Sequence, residues 1–157
     1  MNRREFLKTS AVGISAPSVL LFSQENINMN NPIVLATWKH GLSANDAAWK
    51  ILKKGGTALD AVETGAKIPE ADPENSSVGL GGLPDEKGKV TLDACIMDHT
   101  GNCGSVAFLQ NIKHPISVAR KVMEDTKHVM LAGEGARQFA VSKGFEEMDL
   151  LTDVSRK

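Results

Sequence analysis

The chain has 157 residues, of which 41% are hydrophobic and 24% are charged, a balance typical of one ordinary globular domain. Its net charge of −1 argues against a protein that binds nucleic acid through a basic surface. Only 4% of the residues are aromatic and none is Tyr, which argues against stacking platforms for nucleic-acid bases.

The first residues have the pattern of an export signal. Arg3 and Arg4 precede Phe-Leu-Lys and then a small, mildly apolar run without acidic residues. This pattern resembles a twin-arginine signal, and a disordered basic tail is the alternative. The apolar run is too short to span a bilayer stably, so membrane contact is expected only during export. We therefore expect residues 1–31 to be signal and spacer, residues 32–157 to be the folded domain, and the protein to be periplasmic.

The first part of the domain predicts a strand and two helices. Residues 32–38 form a short apolar run with β-branched side chains, which favours a strand. Residues 42–56 and 57–73 have apolar side chains at helical spacing. Ser43 and Thr57 each precede an Asp by three residues, so each is the predicted N-cap of its helix in a capping box. The second helix is expected to end at its first proline.

The second part predicts a hairpin followed by a helix, a strand and another helix. Residues 90–98 alternate apolar and polar side chains, and residues 103–109 return after a short turn as the partner strand. Residues 115–126 predict a helix that begins with proline. Residues 128–136 predict a buried strand, and residues 136–145 a helix ended by glycine. This order of elements indicates a mixed α/β fold built in layers.

The two cysteines, Cys95 and Cys103, fall on the two predicted hairpin strands. They could face one another and form a disulfide in an oxidising compartment, although two buried thiols are the simpler expectation. Neither forms a metal-binding pattern with the four scattered histidines, so we expect no metal and no cofactor.

Three glycines, Gly79, Gly81 and Gly82, stand close together before a turn and a strand. A dinucleotide site would need the glycines between a strand and a helix, and a P-loop would need Gly-Lys-Ser/Thr. Neither context is present. The glycines therefore predict a loop with positive φ angles or a close approach of two backbone segments.

The residues with reactive or aromatic side chains have structural interpretations when taken one by one. Ser77 has no base near it in sequence, Thr100 fits a hairpin turn, and Thr126 fits a helix end. Trp38 fits packing at the end of a strand better than the wall of a ligand site. The acidic pairs are interpreted as solvated loop charges: Glu70/Asp72, Asp85/Glu86 and Glu146/Glu147.

Taken together, several stretches resemble the N-terminal subunit of the glycosylasparaginase family, in order and spacing. The resemblance runs from residue 32 to residue 152 and is carried by PIVLATW, AAWKILKKGGTALDAVETG, DPENSSVGLGGLPDEKGKVTLDACIMD, GSVAFLQNIKHPISVARKVMEDTKHVMLAGEGARQFAVSKGF and LLT. The plant-type L-asparaginases and isoaspartyl peptidases of the wider family usually have Asn-Ala-Gly-x-Gly at the glycine loop. The Ser-Val-Gly-Leu-Gly-Gly of this chain and its Trp38 favour the glycosylasparaginase branch.

The resemblance implies an N-terminal-nucleophile hydrolase, here a partial four-layer α-β-β-α sandwich. In that family a precursor cuts itself before a Thr in a His-Asp-Thr-Ile-Gly segment, and the freed Thr attacks the side-chain amide of N-acetylglucosaminyl-asparagine. That segment is absent from this sequence, so we expect the chain to be inactive by itself and to need a β-subunit portion. A complete protein is expected to form a homodimer of α–β units.

The resemblance also implies roles for particular residues. Trp38 matches a Trp that lines the substrate pocket, and Ser77 matches a Ser in the loop near the nucleophile. Gly79, Gly81 and Gly82 belong to the same supporting loop. Lys39-His40 and Leu80 depart from the family pattern, which leaves substrate preference open. An L-asparaginase or isoaspartyl peptidase and a non-catalytic exported module are the alternatives.

Overall fold

The computed structural model describes residues 31–156, and residues 34–157 group as one compact unit. The predicted export signal and nearly all of its spacer, residues 1–30, lie outside the described residues. The described elements, in chain order, are α1 (Gly41–Lys53), α2 (Ala58–Ala71), β1 (Leu92–Met97), β2 (Cys103–Leu109), α3 (Pro115–Asp125), β3 (Leu131–Ala132) and α4 (Gly133–Ser142). None of these helices is long and apolar enough to cross a membrane.

The sheet has three strands in the order β1-β2-β3. β1 and β2 form the predicted antiparallel hairpin, in which Cys95 pairs with Ser105 and Met97 pairs with Cys103. The predicted strand over residues 128–136 is mostly wrong, because only Leu131–Ala132 pairs with β2, in parallel. The glycines expected to end that strand instead begin α4.

The core lies between one face of the sheet and the helices. Val106 and Ile96 point from the sheet toward Val118 and Val122 of α3, and all four side chains are buried in one apolar cluster. Gly104 permits this packing, because a Cβ atom there would lie 2.1 Å from the carbonyl oxygen of Ala119. The alternation predicted from the sequence of β1 is confirmed by its burial pattern.

Helices α1 and α2 pack against one another. The sequence predicts a capping box at the N-terminus of each, and the structure has one of the two. At α2 the capping box is confirmed, with Thr57 accepting from the Asp60 amide at 3.1 Å. At α1 it is wrong: the helix begins at Gly41, and the Ser43 hydroxyl donates to the His40 carbonyl oxygen instead of capping an amide. Pro69 does not end α2, which continues to Ala71.

The predicted strand over residues 32–38 is wrong for the described structure. Its backbone has no regular secondary structure, and Leu35 is 87% exposed. A strand needs hydrogen bonds from a neighbouring strand, and none of the described strands pairs with this segment. Its apolar sequence is suited to a sheet, but the described residues provide no partner for it.

The second face of the sheet, which we call the open face, carries residues 93, 95 and 97 of β1 and residues 103, 105 and 107 of β2. Met97 is 65% exposed there, and Cys95 is exposed as well. The expectation of two buried thiols is therefore wrong. Both cysteines are free and, because Cys95 pairs with Ser105, they do not face one another in the hairpin. The described fold is a mixed α/β structure with helices on one face of its sheet.

Candidate functional site

The loop that carries the predicted site residues spans residues 72–83, and we call it the glycine loop. It is held by backbone hydrogen bonds to distant parts of the chain. The Leu80 amide donates to the Glu70 carbonyl oxygen at 2.9 Å, and the Gly81 amide donates to the Leu150 carbonyl oxygen at 2.8 Å. Within the loop, the Leu83 amide donates to the Ser76 carbonyl oxygen at 2.9 Å. The loop therefore has a fixed path without being a helix or a strand.

The glycines allow that path, as the sequence predicts. Gly79 and Gly81 have φ angles of 71° and 85°, and both are buried. A Cβ atom at Gly79 would lie 2.0 Å from the Glu70 carbonyl oxygen, and one at Gly81 would lie 2.5 Å from the Pro73 carbonyl oxygen. At Gly82 a Cβ atom would lie 2.9 Å from a Val90 methyl group. The close backbone approach is confirmed.

Ser77 lies on the exposed side of this loop. Its hydroxyl donates to the Asn75 side-chain oxygen at 2.5 Å, and its amide donates to the same oxygen at 3.2 Å. The Asn75 side-chain amide donates in turn to the Pro69 carbonyl oxygen at 3.2 Å. The orientation of Ser77 is thus set by Asn75, which is anchored on the last turn of α2.

Glu70 is buried directly beneath the loop, and its prediction as a solvated charge is wrong. The residue is only 3% exposed. One carboxylate oxygen lies 3.0 Å from His114 Nδ1, and the other accepts from the Ile116 amide at 3.0 Å. Burial raises the pKa of the Glu70 carboxyl, and the two hydrogen bonds oppose that rise without cancelling it. A signal was available, since Glu70 continues the inward stripe of α2 four residues after Ala66.

A second polar cluster joins α2 and α3 farther from the loop. Arg120 donates to Asp60 at 2.8 Å, to Glu63 at 2.7 Å and to Glu124 at 2.7 Å. The Ser117 hydroxyl donates to Glu63 at 2.5 Å. Burial by itself would raise the pKa of Glu63, but the hydrogen bonds from Ser117 and Arg120 together lower it. These charges stabilise the packing of two helices and do not contact the loop.

Trp38 is placed differently from the loop residues. It is 73% exposed, and its ring stacks on the His40 ring with centroids 6.2 Å apart and planes 4° from parallel. Its carbonyl oxygen accepts from the Gly41 amide at 2.9 Å. Within residues 31–156, no hydrogen bond or ring contact joins Trp38 to the glycine loop. The structure therefore assembles the loop residues around one another but does not bring Trp38 to them.

The two other candidate nucleophiles have structural roles, as the sequence predicts. Thr100 lies in the hairpin turn, where its hydroxyl donates to Asp98 at 2.7 Å. Thr126 is the C-cap of α3, and its hydroxyl donates to the Val122 carbonyl oxygen at 2.8 Å. Both hydroxyl protons are engaged by neighbouring oxygen atoms that stabilise a turn or a helix end.

Comparison with known proteins places this architecture in a family. Residues 26–157 match the family described as asparaginase. The chain is 54% identical to an N(4)-(beta-N-acetylglucosaminyl)-L-asparaginase from Elizabethkingia miricola, over 99% of this chain and 48% of the relative. It is 50% identical to the protein of the same name from Rattus norvegicus, over 80% of this chain and 36% of the relative.

A third relative has a different printed name. The plant-type L-asparaginase from Pyrococcus abyssi is 51% identical over 71% of this chain and 36% of the relative. The chain spans about half or less of the length of these curated relatives. The matched residues include the glycine loop, the hairpin and all four described helices. The resemblance noted in the sequence is confirmed, and the chain belongs to the asparaginase family.

Proposed function

We propose that this chain forms the N-terminal half of an amidohydrolase that cleaves the side-chain amide of an asparagine carrying N-acetylglucosamine. The observation that carries the proposal is the 54% identity to the Elizabethkingia relative, which extends over nearly the whole chain. Identity at this level over nearly the whole chain supports the same overall reaction class.

The open face of the sheet supports the larger architecture in this proposal. Met97 is 65% exposed on this face, and Val129 and Met130 are exposed just before β3. Apolar patches of this kind are usually covered in a stable protein. A second sheet packed on the open face would produce the four-layer α-β-β-α sandwich that the family resemblance implies.

In the proposed reaction, the nucleophile is a Thr that autoproteolysis exposes in the second half of the complete protein. Its α-amino group has an ordinary pKa near 8. That amine can therefore accept the proton of the attacking hydroxyl near neutral pH. Attack on the amide carbonyl forms an acyl-enzyme and releases the glycosylamine, and water then releases aspartate. The glycine loop would hold Ser77 beside this centre, and Trp38 would line the pocket.

The same-class alternative is an L-asparaginase or isoaspartyl peptidase, and the name of the Pyrococcus relative supports the L-asparaginase. Both reactions use the same nucleophile and differ in the group that leaves. Export to the periplasm is a separate part of the proposal, and the paired Arg3 and Arg4 support it. A non-catalytic exported module is the remaining alternative.

The test continues this chain with the C-terminal portion of the Elizabethkingia relative, giving what we call the joined protein. We expect it to cut itself into two pieces, the second beginning with Thr, as read by gel electrophoresis and N-terminal sequencing. We also expect it to release aspartate faster from N-acetylglucosaminyl-asparagine than from asparagine. A reversed preference would favour the L-asparaginase, and a folded but uncut and inactive joined protein would support the non-catalytic module.

A further inference from the structure

We propose that Glu70 is a positioning residue: its carboxylate, with His114 as its partner, fixes the last turn of α2, which holds the glycine loop and, through Asn75, Ser77. This proposal rests on the proposed function for the role of Ser77 in turnover. The placement of the loop by Glu70 stands on the geometry of this chain alone.

Glu70, on α2, contacts two other parts of the chain, the glycine loop and the beginning of α3. Its carbonyl oxygen accepts from the Leu80 amide, and Gly79 passes so close that a Cβ atom would lie 2.4 Å from the Glu70 Cα atom. Its carboxylate meets the Ile116 amide and His114 Nδ1, each at 3.0 Å. One residue therefore ties the end of α2 and the beginning of α3 to the loop.

The carboxylate also completes a helix end that lacks its own cap. His114 is the N-cap residue of α3, but its side chain makes no capping hydrogen bond. The first amides of a helix need acceptors and favour a negative charge. Glu70 supplies both from another helix by accepting from Ile116. Movement of Glu70 would therefore cost the helix its acceptor as well as shift the loop.

The charges around Glu70 hold the carboxylate in this position. Lys67, one turn earlier on α2, and His114, at the start of α3, are the two groups that attract its negative charge. The His114 side chain is 21% exposed and that of Glu70 is 4% exposed, so the contact between them is largely shielded from solvent. Removal of His114 would leave the Ile116 contact and weaken the anchor. Removal of the carboxyl group would abolish both contacts.

The Arg120 cluster provides the matched control, because it joins the same two helices without touching the loop. A residue that only holds α2 to α3 would act on the whole fold, as Arg120 does. A positioning residue would act additionally and locally on residues 76–83. Amide exchange of Leu80 and Leu83 reports that local effect, since the Leu80 amide donates to the Glu70 carbonyl oxygen and the Leu83 amide to the Ser76 carbonyl oxygen.

The test measures hydrogen exchange in the 157-residue chain for Glu70→Ala, Glu70→Gln, His114→Ala and the control Arg120→Met. Glu70→Ala keeps the carbonyl oxygen that accepts from Leu80 but loses the carboxylate hydrogen bonds to Ile116 and His114 that hold this turn. Since losing a buried hydrogen bond costs about 1 kcal/mol, we expect the loosened turn to speed exchange at Leu80 and Leu83 by about tenfold, beyond any change at amides in β2. Arg120→Met should alter loop and strand amides together. Glu70→Gln keeps an acceptor for Ile116 and should restore most of the protection, and His114→Ala should be intermediate.

The same variants in the joined protein separate positioning from stability. We expect Glu70→Ala to slow self-cleavage and lower kcat with KM nearly unchanged, with rescue by Glu70→Gln. Equal exchange of loop and strand amides in Glu70→Ala, as in Arg120→Met, would overturn the positioning role. Should Glu70→Ala not fold, an unchanged loop in His114→Ala would overturn the partnership. If Glu70→Ala speeds amide exchange selectively in the loop but no joined protein is active, the positioning role of Glu70 is supported. The proposed function is then rejected.

Discussion

The glycine loop and the segment around Trp38 differ in how far this chain completes them. The loop has buried glycines, hydrogen bonds to Glu70 and Leu150, and a buried charge beneath it. The segment 32–40 has exposed apolar side chains and one ring contact, between Trp38 and His40. Both stretches carry a residue that the family resemblance assigns to the site. The comparison shows that the glycine loop is held by other parts of the described chain, whereas no described strand pairs with the Trp38 segment and its apolar side chains are exposed.

The difference has a simple physical origin. The glycine loop is fixed because its amides find carbonyl oxygens within the described chain, nearby in sequence at Ser76 and Glu70 and far along it at Leu150. An extended apolar segment cannot be fixed in this way, because its backbone groups need a neighbouring strand and its side chains need a surface to cover. Variants of the loop should therefore change the stability of this chain, and variants of the Trp38 segment should not.

The largest effect is expected from Gly79→Ala. The substitution combines a left-handed backbone with a Cβ atom 2.0 Å from the Glu70 carbonyl oxygen. Strain and overpacking together should lower the free energy of unfolding by about 2–4 kcal/mol. Urea unfolding measures the change. Gly88→Ala is the control, because its φ of 77° is similar and nothing lies within 4 Å of its Cβ position, so about 1 kcal/mol is expected. Equal losses would show that the close approach is unimportant.

The next effect is on the pH dependence of stability. Burial raises the pKa of Glu70 in the folded protein. The contribution of its carboxyl group to the free energy of unfolding is therefore full below the pKa of the unfolded state, and it is lost as the pH rises through the pKa of the folded state. Glu63 has a lowered pKa, so its contribution is present above its unfolded pKa and is lost as the pH falls. The stability difference between the wild type and Glu70→Gln should therefore decrease with pH. The difference from Glu63→Gln should increase.

Urea titrations from about pH 3 to about pH 7 extend to both sides of the ordinary glutamate pKa, from which the pKa of Glu70 is raised and that of Glu63 is lowered. The prediction concerns the opposite signs of the two slopes, so each variant is the control for the other. If both stability differences changed with pH in the same direction, the hydrogen bonds of Glu70 would stabilise its ionised form, as those of Glu63 do.

A smaller effect is expected at the helix N-termini, where the sequence predicts two similar caps and the structure forms one. Thr57→Ala should cost about 1 kcal/mol of unfolding free energy, because the Asp60 amide loses its acceptor. Ser43→Ala should change the free energy by less than about 0.5 kcal/mol, because Ser43 caps no amide. Thermal unfolding of both variants measures the difference, and a larger loss at Ser43 would contradict the observed start of α1.

The sequence predicts those elements whose signals are local. Thr57 with Asp60, the alternation around Ile96, and the glycine that ends α4 each depend on neighbours within a few residues, and each prediction is confirmed. The strand over residues 32–38 fails because β pairing depends on another part of the chain. Residues 128–136 fail for the same reason, since only two of these residues find a partner strand.

In the candidate site, too, the features with local sequence signals are predicted and those that depend on distant residues are not. The glycine pattern correctly predicts a close backbone approach, because positive φ and missing side chains are properties of the glycines themselves. Glu70 was missed because a charged residue near the end of a helix is usually solvated, and its partners lie more than 40 residues away. The helical stripe through Ala66 was the only sequence signal for its burial, and its charge obscured that signal.

The smallest effect on stability is expected from Trp38→Ala, and it separates the two regions most directly. Since Trp38 is 73% exposed and contacts only the His40 ring among the described aromatic groups, the substitution should change the unfolding free energy of this chain by less than about 0.5 kcal/mol. In the joined protein the same substitution should raise KM for N-acetylglucosaminyl-asparagine, if a completed pocket uses the ring. Trp49→Ala is the matched control, because Trp49 lies on α1, away from the proposed pocket segment. A large stability loss in the chain, or an unchanged KM in the joined protein, would show that Trp38 serves packing and would remove it from the proposed pocket.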